Sequence, residues 1–90
     1  MQRVTVFYAG RVQGVGFRVT VRQIACGYDV MGTVRNLPDG RVEMIAEGQR
    51  EEVEAFLKGI DESDLSGYIA KKQDHWSPAQ KNLRGFVVMQ

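Results

Sequence analysis

The 90-residue chain has one cysteine, one histidine and two prolines. A lone thiol, Cys26, cannot close an internal disulfide, so a covalently stapled fold is excluded. His75 lies far from Cys26 in sequence, and neither has a partner at metal-ligand spacing, so no structural zinc or other metal is expected. Long apolar runs are also missing: nothing approaches the roughly 20 residues that span a bilayer. Met1 leads almost at once into charged, strand-like sequence instead of a signal peptide. The expectation is a cytoplasmic protein without a membrane partner. An excess of one charge is lacking too, because 12 Lys and Arg face 11 Asp and Glu for a net charge of +1. With no like-charged run, nucleic acid is not an expected partner, and any anion site must be local.

What is present is enough apolar content, 43%, for one modest core, so residues 1–90 read as a single domain. Arg3 to Ala9 mixes Val, Thr, Phe and Tyr as a half-buried strand does, then runs into the glycine-punctuated stretch Gly10 to Gly16. Phe17, Val21, Ile24 and Ala25 recur at helical spacing. This predicts a helix from about Phe17 to Cys26, with Gly27 as a left-handed C-terminal cap. Asp29 to Asn36 reads as a second strand. Leu37-Pro38-Asp39-Gly40 is turn chemistry, and Arg41 to Glu47 is a third strand with Val42, Met44 and Ala46 on one face. Val53, Phe56, Leu57 and Ile60 form one stripe of a second helix, Arg50 to Ile60, whose start favours Glu51 and Glu52. Gly67 to Gln73 reads as a possible strand, Asp74 to Arg84 as polar loop, and Gly85 to Met89 as a short last strand. The order β-α-β-β-α-β, with the extra strand near the end, implies a ferredoxin-like α+β sandwich: an antiparallel sheet with two helices on one face.

The chemistry concentrates in Gly10-Arg-Val-Gln-Gly-Val-Gly-Phe-Arg18. Three glycines between a strand end and a helix start let main-chain N–H groups from Gln13, Gly14, Val15, Gly16 and Phe17 converge on an anion, and such a nest suits phosphate. Arg18, in the first helical turn, adds a planar fork for two phosphate oxygens. The glycine spacing is not that of a Walker loop. Val19 stands where a dinucleotide fingerprint needs its third glycine. Because the first helix runs back beside the sheet, the second strand returns parallel to the first and carries Asn36 to the same sheet end. An amide is no general base, but it can hold a water in line with phosphorus.

Two segments, Gly10 to Arg18 and Gly32-Thr-Val-Arg-Asn36-Leu-Pro-Asp-Gly-Arg-Val-Glu43, resemble the signature segments of the acylphosphatase family. Thr33 stands where that family often has tryptophan. The resemblance implies a ferredoxin-like fold and hydrolysis of small-molecule acyl phosphates to a carboxylate and inorganic phosphate. It also implies an arginine matching Arg18 that binds phosphate and an asparagine matching Asn36 that orients water. No cofactor is implied, and a monomer is expected.

Other residues have plainer readings. Cys26 reads as a small buried hydrophobe, His75 and Trp76 as strand-packing residues, and Arg35 and Arg41 as solvated strand-edge charges. The competing functions are a catalytically weak anion- or carbamoyl-phosphate-binding domain and a ferredoxin-like RNA-binding module. Against the latter, the third strand carries none of the exposed aromatics that stack on bases.

Overall fold

The computed structural model describes residues 1–89. In chain order it contains β1 (Gln2–Gly10), α1 (Phe17–Ala25), β2 (Met31–Asn36), β3 (Val42–Gly48), α2 (Arg50–Asp61), a short 3₁₀ turn (Asp64–Tyr68), β4 (Ile69–Pro78) and β5 (Phe86–Val88). The two-residue period of β1 puts Val4, Val6 and Tyr8 in the core and leaves Arg3, Thr5 and Phe7 partly exposed on the other face. Val34 of β2 and Val42, Met44 and Ala46 of β3 continue the buried face. Against it pack Phe17, Val21 and Ala25 of α1 and Val53, Phe56, Leu57 and Ile60 of α2. Each large apolar side chain so buried contributes about 1.5–3 kcal/mol.

The sheet order is β4-β1-β3-β2-β5. β1 and β2 both run antiparallel to β3, so they are parallel to each other, as the helical connection demands. The expected ferredoxin-like sandwich is present, and its antiparallel sheet is made mixed by β5, which pairs parallel to β2 through Gly32↔Phe86, Thr33↔Val87 and Val34↔Val88. β5 arrives by a crossing from β4 at the opposite edge, not by a hairpin from β2, and that crossing sets its direction.

Most element boundaries fall within two residues of the sequence reading, and the differences that matter lie in β4 and at the end of α1. β4 extends to Pro78, through residues taken as loop, and pairs along β1. As an edge strand it tolerates polar residues on both faces, which removes the alternation a half-buried strand would show. His75 meets the Phe7 ring edge-on at 5.9 Å, and Trp76 lies under Arg50, whose guanidinium carbon is 3.9 Å from the ring centre. Helix α1 ends at Ala25, one residue early, leaving Cys26 exposed instead of buried. Gly27 does not take a left-handed cap. Its amide donates to Ile24 O at 3.0 Å and the Tyr28 amide to Ala25 O at 3.1 Å, so the helix tightens into short-range turns.

Among the described residues no helix is long and apolar enough to cross a membrane.

Candidate active site

The loop between β1 and α1 leaves the sheet at Gly10, where φ is +131° and an added Cβ would lie 2.4 Å from Tyr68 O. The next amide, Arg11, donates to that same carbonyl at 2.9 Å. Val12 then plugs the core at 1% exposure. Beyond it, Gly14 and Gly16 take left-handed φ values of +78° and +76°, with open space where a Cβ would stand. These two glycines answer a conformational need and not a steric one. Together they turn the chain so that the helix begins at Phe17, whose ring packs 5.2 Å from that of Tyr8.

The first helical hydrogen bond of α1 runs from the Thr20 amide to Gly16 O at 3.0 Å. The amides of Phe17, Arg18 and Val19 therefore have no intrahelical acceptor. The first turn of α1 holds no acidic side chain to occupy them. Positive potential at this end is the sum of these donors, the helix dipole and the Arg18 guanidinium.

Hydrogen bonds tie this loop to the end of β2. Gln13 Nε2 donates to Leu37 O at 2.8 Å and to Arg41 O at 2.9 Å, clasping the turn that follows Asn36. That turn is closed by the Leu37 amide on Arg41 O (2.8 Å) and the Gly40 amide on Leu37 O (3.1 Å). The Asp39 carboxyl is held below its ordinary value, first by the Arg41 amide and then by the Arg41 side chain. Arg18 Nη1 donates to Met89 O at 2.7 Å, and the Met89 amide donates to Val34 O at 2.8 Å, two residues before Asn36. Asn36 shares the face of Val34 by strand periodicity. Its Oδ1 is buried and has no hydrogen-bond partner within the described protein. A buried acceptor left in this state costs about 1–3 kcal/mol.

Gln13, Arg18 and Asn36 thus lie at one end of the sheet, as the topology argument expected. The sequence did not reveal two features of the arrangement: the Gln13 side chain as the loop's clasp and the Met89 carbonyl as the partner of Arg18. A main-chain carbonyl leaves no signature in the residue type. The Gln13 clasp had a signal, an amide side chain in a loop facing a Pro-Asp-Gly turn. Among the described residues, no group of three or more His, Cys, Asp or Glu side chains could hold a metal.

By its fold this is a ferredoxin-like α+β protein with a basic, donor-rich sheet end. The acylphosphatase family model matches residues 4–88. An acylphosphatase of Acidothermus cellulolyticus is 44% identical over 88 residues, covering 94% of this chain and 84% of its own. The crystal structure of acylphosphatase from Bacillus subtilis superposes with a TM-score of 0.90 at 29% identity, covering 100% of both chains. The T. kodakarensis HypF structure matches with a TM-score of 0.84 at 31% identity, over 100% of this chain and 12% of that one. The chain belongs to the acylphosphatase family, and the activity it carries is that of a hydrolase acting on acyl phosphates.

Proposed function

We propose that Arg18 and the main-chain amides of Gln13, Gly14, Val15, Gly16 and Phe17 hold the phosphate of the acyl phosphate while Asn36 orients the attacking water. The observation that carries this reading is the Asn36 Oδ1: a buried acceptor without a protein partner, at the sheet end shared with Arg18 and the glycine loop. A water donating to that oxygen keeps a lone pair free for phosphorus. Arg18 neutralises the equatorial oxygens, and the amides stabilise them further as charge builds. The departing carboxylate is the base of an acid with a pKa of about 4, so it leaves without a general acid. In a loose phosphoryl transition state the water loses its proton late, to a phosphate oxygen of the substrate, and no protein base is called on.

On this account the reaction is independent of metal ions, because the loop and Arg18 supply the positive charge a metal would contribute. The chain acts as a single-domain monomer over residues 1–90, in the cytoplasm, on small acyl phosphates and without nucleic acid. The match to 12% of the longer HypF chain shows the fold also as one part of a larger protein, and a second reading is a phosphate-binding module with weak turnover. Benzoyl phosphate hydrolysis in excess chelator separates them. Sustained turnover, competitively inhibited by inorganic phosphate and abolished by Arg18→Gln, supports the hydrolase mechanism. Phosphate binding without turnover supports the module, and activity that a divalent ion restores after chelation counts against both the metal-free chemistry and the assigned roles.

A further inference from the structure

Glu47 breaks the rule that a charged side chain on the helix-free face of a sheet meets water. It lies on the middle strand β3, and its side chain is fully buried. The segment Ala79–Gly85 covers it. The Gln80 amide donates to Glu47 Oε2 at 3.0 Å and the Lys81 amide to Oε1 at 3.1 Å, while Arg3 Nε donates to Oε2 from the neighbouring strand. Arg3 Nη2 reaches onward to Asn82 Oδ1 at 2.8 Å. Both carboxylate oxygens are therefore committed to the covering segment or to Arg3.

The topology explains why this segment needs a hold. It must carry the chain from β4 at one sheet edge to β5 at the other, a distance of four strand spacings or about 19 Å. The chain from Pro78 to Phe86 could extend to about 28 Å, so nothing but a specific contact fixes its course. Glu47 pins this crossing at the middle strand, through the Gln80 and Lys81 amides. The far end leads directly into the site. Gly85 O accepts from the Gly32 amide at 2.8 Å, three-residue β5 follows along β2, and the Met89 amide binds Val34 O. α1 grips the same strand, with Arg22 Nε donating to Phe86 O at 3.3 Å and Arg18 Nη1 to Met89 O at 2.7 Å.

We infer that Glu47 is a positioning residue for the phosphate site: by pinning the crossing Ala79–Gly85 it sets β5, and through the Met89 carbonyl it orients the Arg18 guanidinium. The inference rests on the reading that Arg18 holds phosphate. Glu47→Gln is the selective lesion, because its NH₂ must face at least one of the Gln80, Arg3 or Lys81 donors that an ionised carboxylate accepts.

The test is a double-variant cycle read by the inhibition constant of inorganic phosphate and by kcat and KM for benzoyl phosphate. Glu47→Gln should weaken phosphate inhibition by roughly 3- to 10-fold and raise KM in step, the size of couplings carried through packed elements. In the Arg18→Gln background the same change should add less than about 2-fold, since the group it orients is gone. A purely structural Glu47 would lower the melting temperature and leave the phosphate constant alone. That result, or equal fold-changes with and without Arg18, overturns the positioning role. If Arg18→Gln by itself leaves phosphate inhibition intact, the phosphate reading fails, and this inference with it. The unmodified chain provides a readout that does not depend on a variant folding. Saturating phosphate should slow amide exchange at Gln80, Lys81 and Met89 beyond any change at Val4, Val6 and Tyr8, because coupling is reciprocal. Uniform slowing, or none, contradicts it.

Discussion

Gln13 reaches out of the glycine loop to donate to Leu37 O at 2.8 Å, so that loop is fastened to the residue after Asn36. The same amide nitrogen donates to Arg41 O at 2.9 Å. Both carbonyls keep main-chain partners without it, from Gly40 and Leu37 respectively. Gln13→Ala should therefore cost only about 1 kcal/mol, or about 4–8 °C in Tm. It should raise the phosphate inhibition constant more visibly, because the loop amides lose their fixed direction. Thermal melts and phosphate titrations on one preparation check both. A variant that melts lower while binding phosphate normally would limit Gln13 to stability.

Arg18 contacts phosphate in the ground state and in the transition state on the proposed reading, so Arg18→Gln should raise the phosphate constant and lower kcat together. Arg18→Lys should rescue poorly, because a point charge cannot both donate to Met89 O and present a planar pair of donors to phosphate. Full recovery of kcat/KM by lysine would show that only net charge matters.

The loop glycines should separate by cause. Gly16→Ala meets no atom within 4 Å and pays only for its left-handed φ of +76°, about 1–2 kcal/mol. Gly10→Ala meets Tyr68 O at 2.4 Å and Ala70 N at 2.7 Å, both main chain, and must push the sheet edge apart. Urea unfolding should show a clearly larger loss for Gly10→Ala. Phosphate titration should show the greater effect per unit of stability for Gly16→Ala. A reversed order in urea would mean that the β1–β4 edge yields easily.

Stability should fall at both ends of the pH scale for named reasons. Burial pushes the Glu47 carboxyl up, but the Gln80 amide, Arg3 and the Lys81 amide outweigh it and leave its pKa below the ordinary 4.5. The stability it contributes is present above about 4.5 and is lost as pH drops through the lower folded value. Tyr8 is fully buried, its hydroxyl has no partner among the described residues, and burial first, then Asp61 and Asp74, raise its pKa well above 10.0. The unfolded chain ionises first as pH rises past 10, so Tyr8 stability is lost from there upward. Urea midpoints across pH should show the acid limb flattened by Glu47→Gln and the alkaline limb flattened by Tyr8→Phe. Unchanged limbs would assign the pH dependence to other groups.

The parts of this protein legible in its sequence are those whose residue types state their own reason. Gly14 and Gly16 stand where left-handed turns are needed, Arg18 follows at the helix start, and the α2 stripe of Val53, Phe56, Leu57 and Ile60 allows one face inward. Asn36 could be carried to the loop by topology alone, since a helical connection makes β1 and β2 parallel. Most of the rest depended on distant chain. Glu47 looks like one more outward charge in an alternating strand until Gln80 and Lys81 fold over it. Cys26 looks like a buried helix position until α1 ends one residue early. β5 reads only as a short last strand of an antiparallel sheet until the crossing from β4 lays it parallel to β2. At Glu47 and β5 a contact from distant chain prevails over a local pattern, whereas at Cys26 short-range turn bonds end the helix.

The proposed division of labour between Arg18 and Asn36 is best tested by kcat for benzoyl phosphate in Asn36→Ala alongside the phosphate inhibition constant. Circular dichroism and a melting curve first establish that the variant is folded. If Asn36 places the water, kcat should be lower by about 10²- to 10³-fold, the loss typical of one preorganised polar contact, with phosphate inhibition within a few fold of the parent. A near-normal kcat, or phosphate binding lost as badly as in Arg18→Gln, would contradict it and make Asn36 a turn residue or a second phosphate ligand.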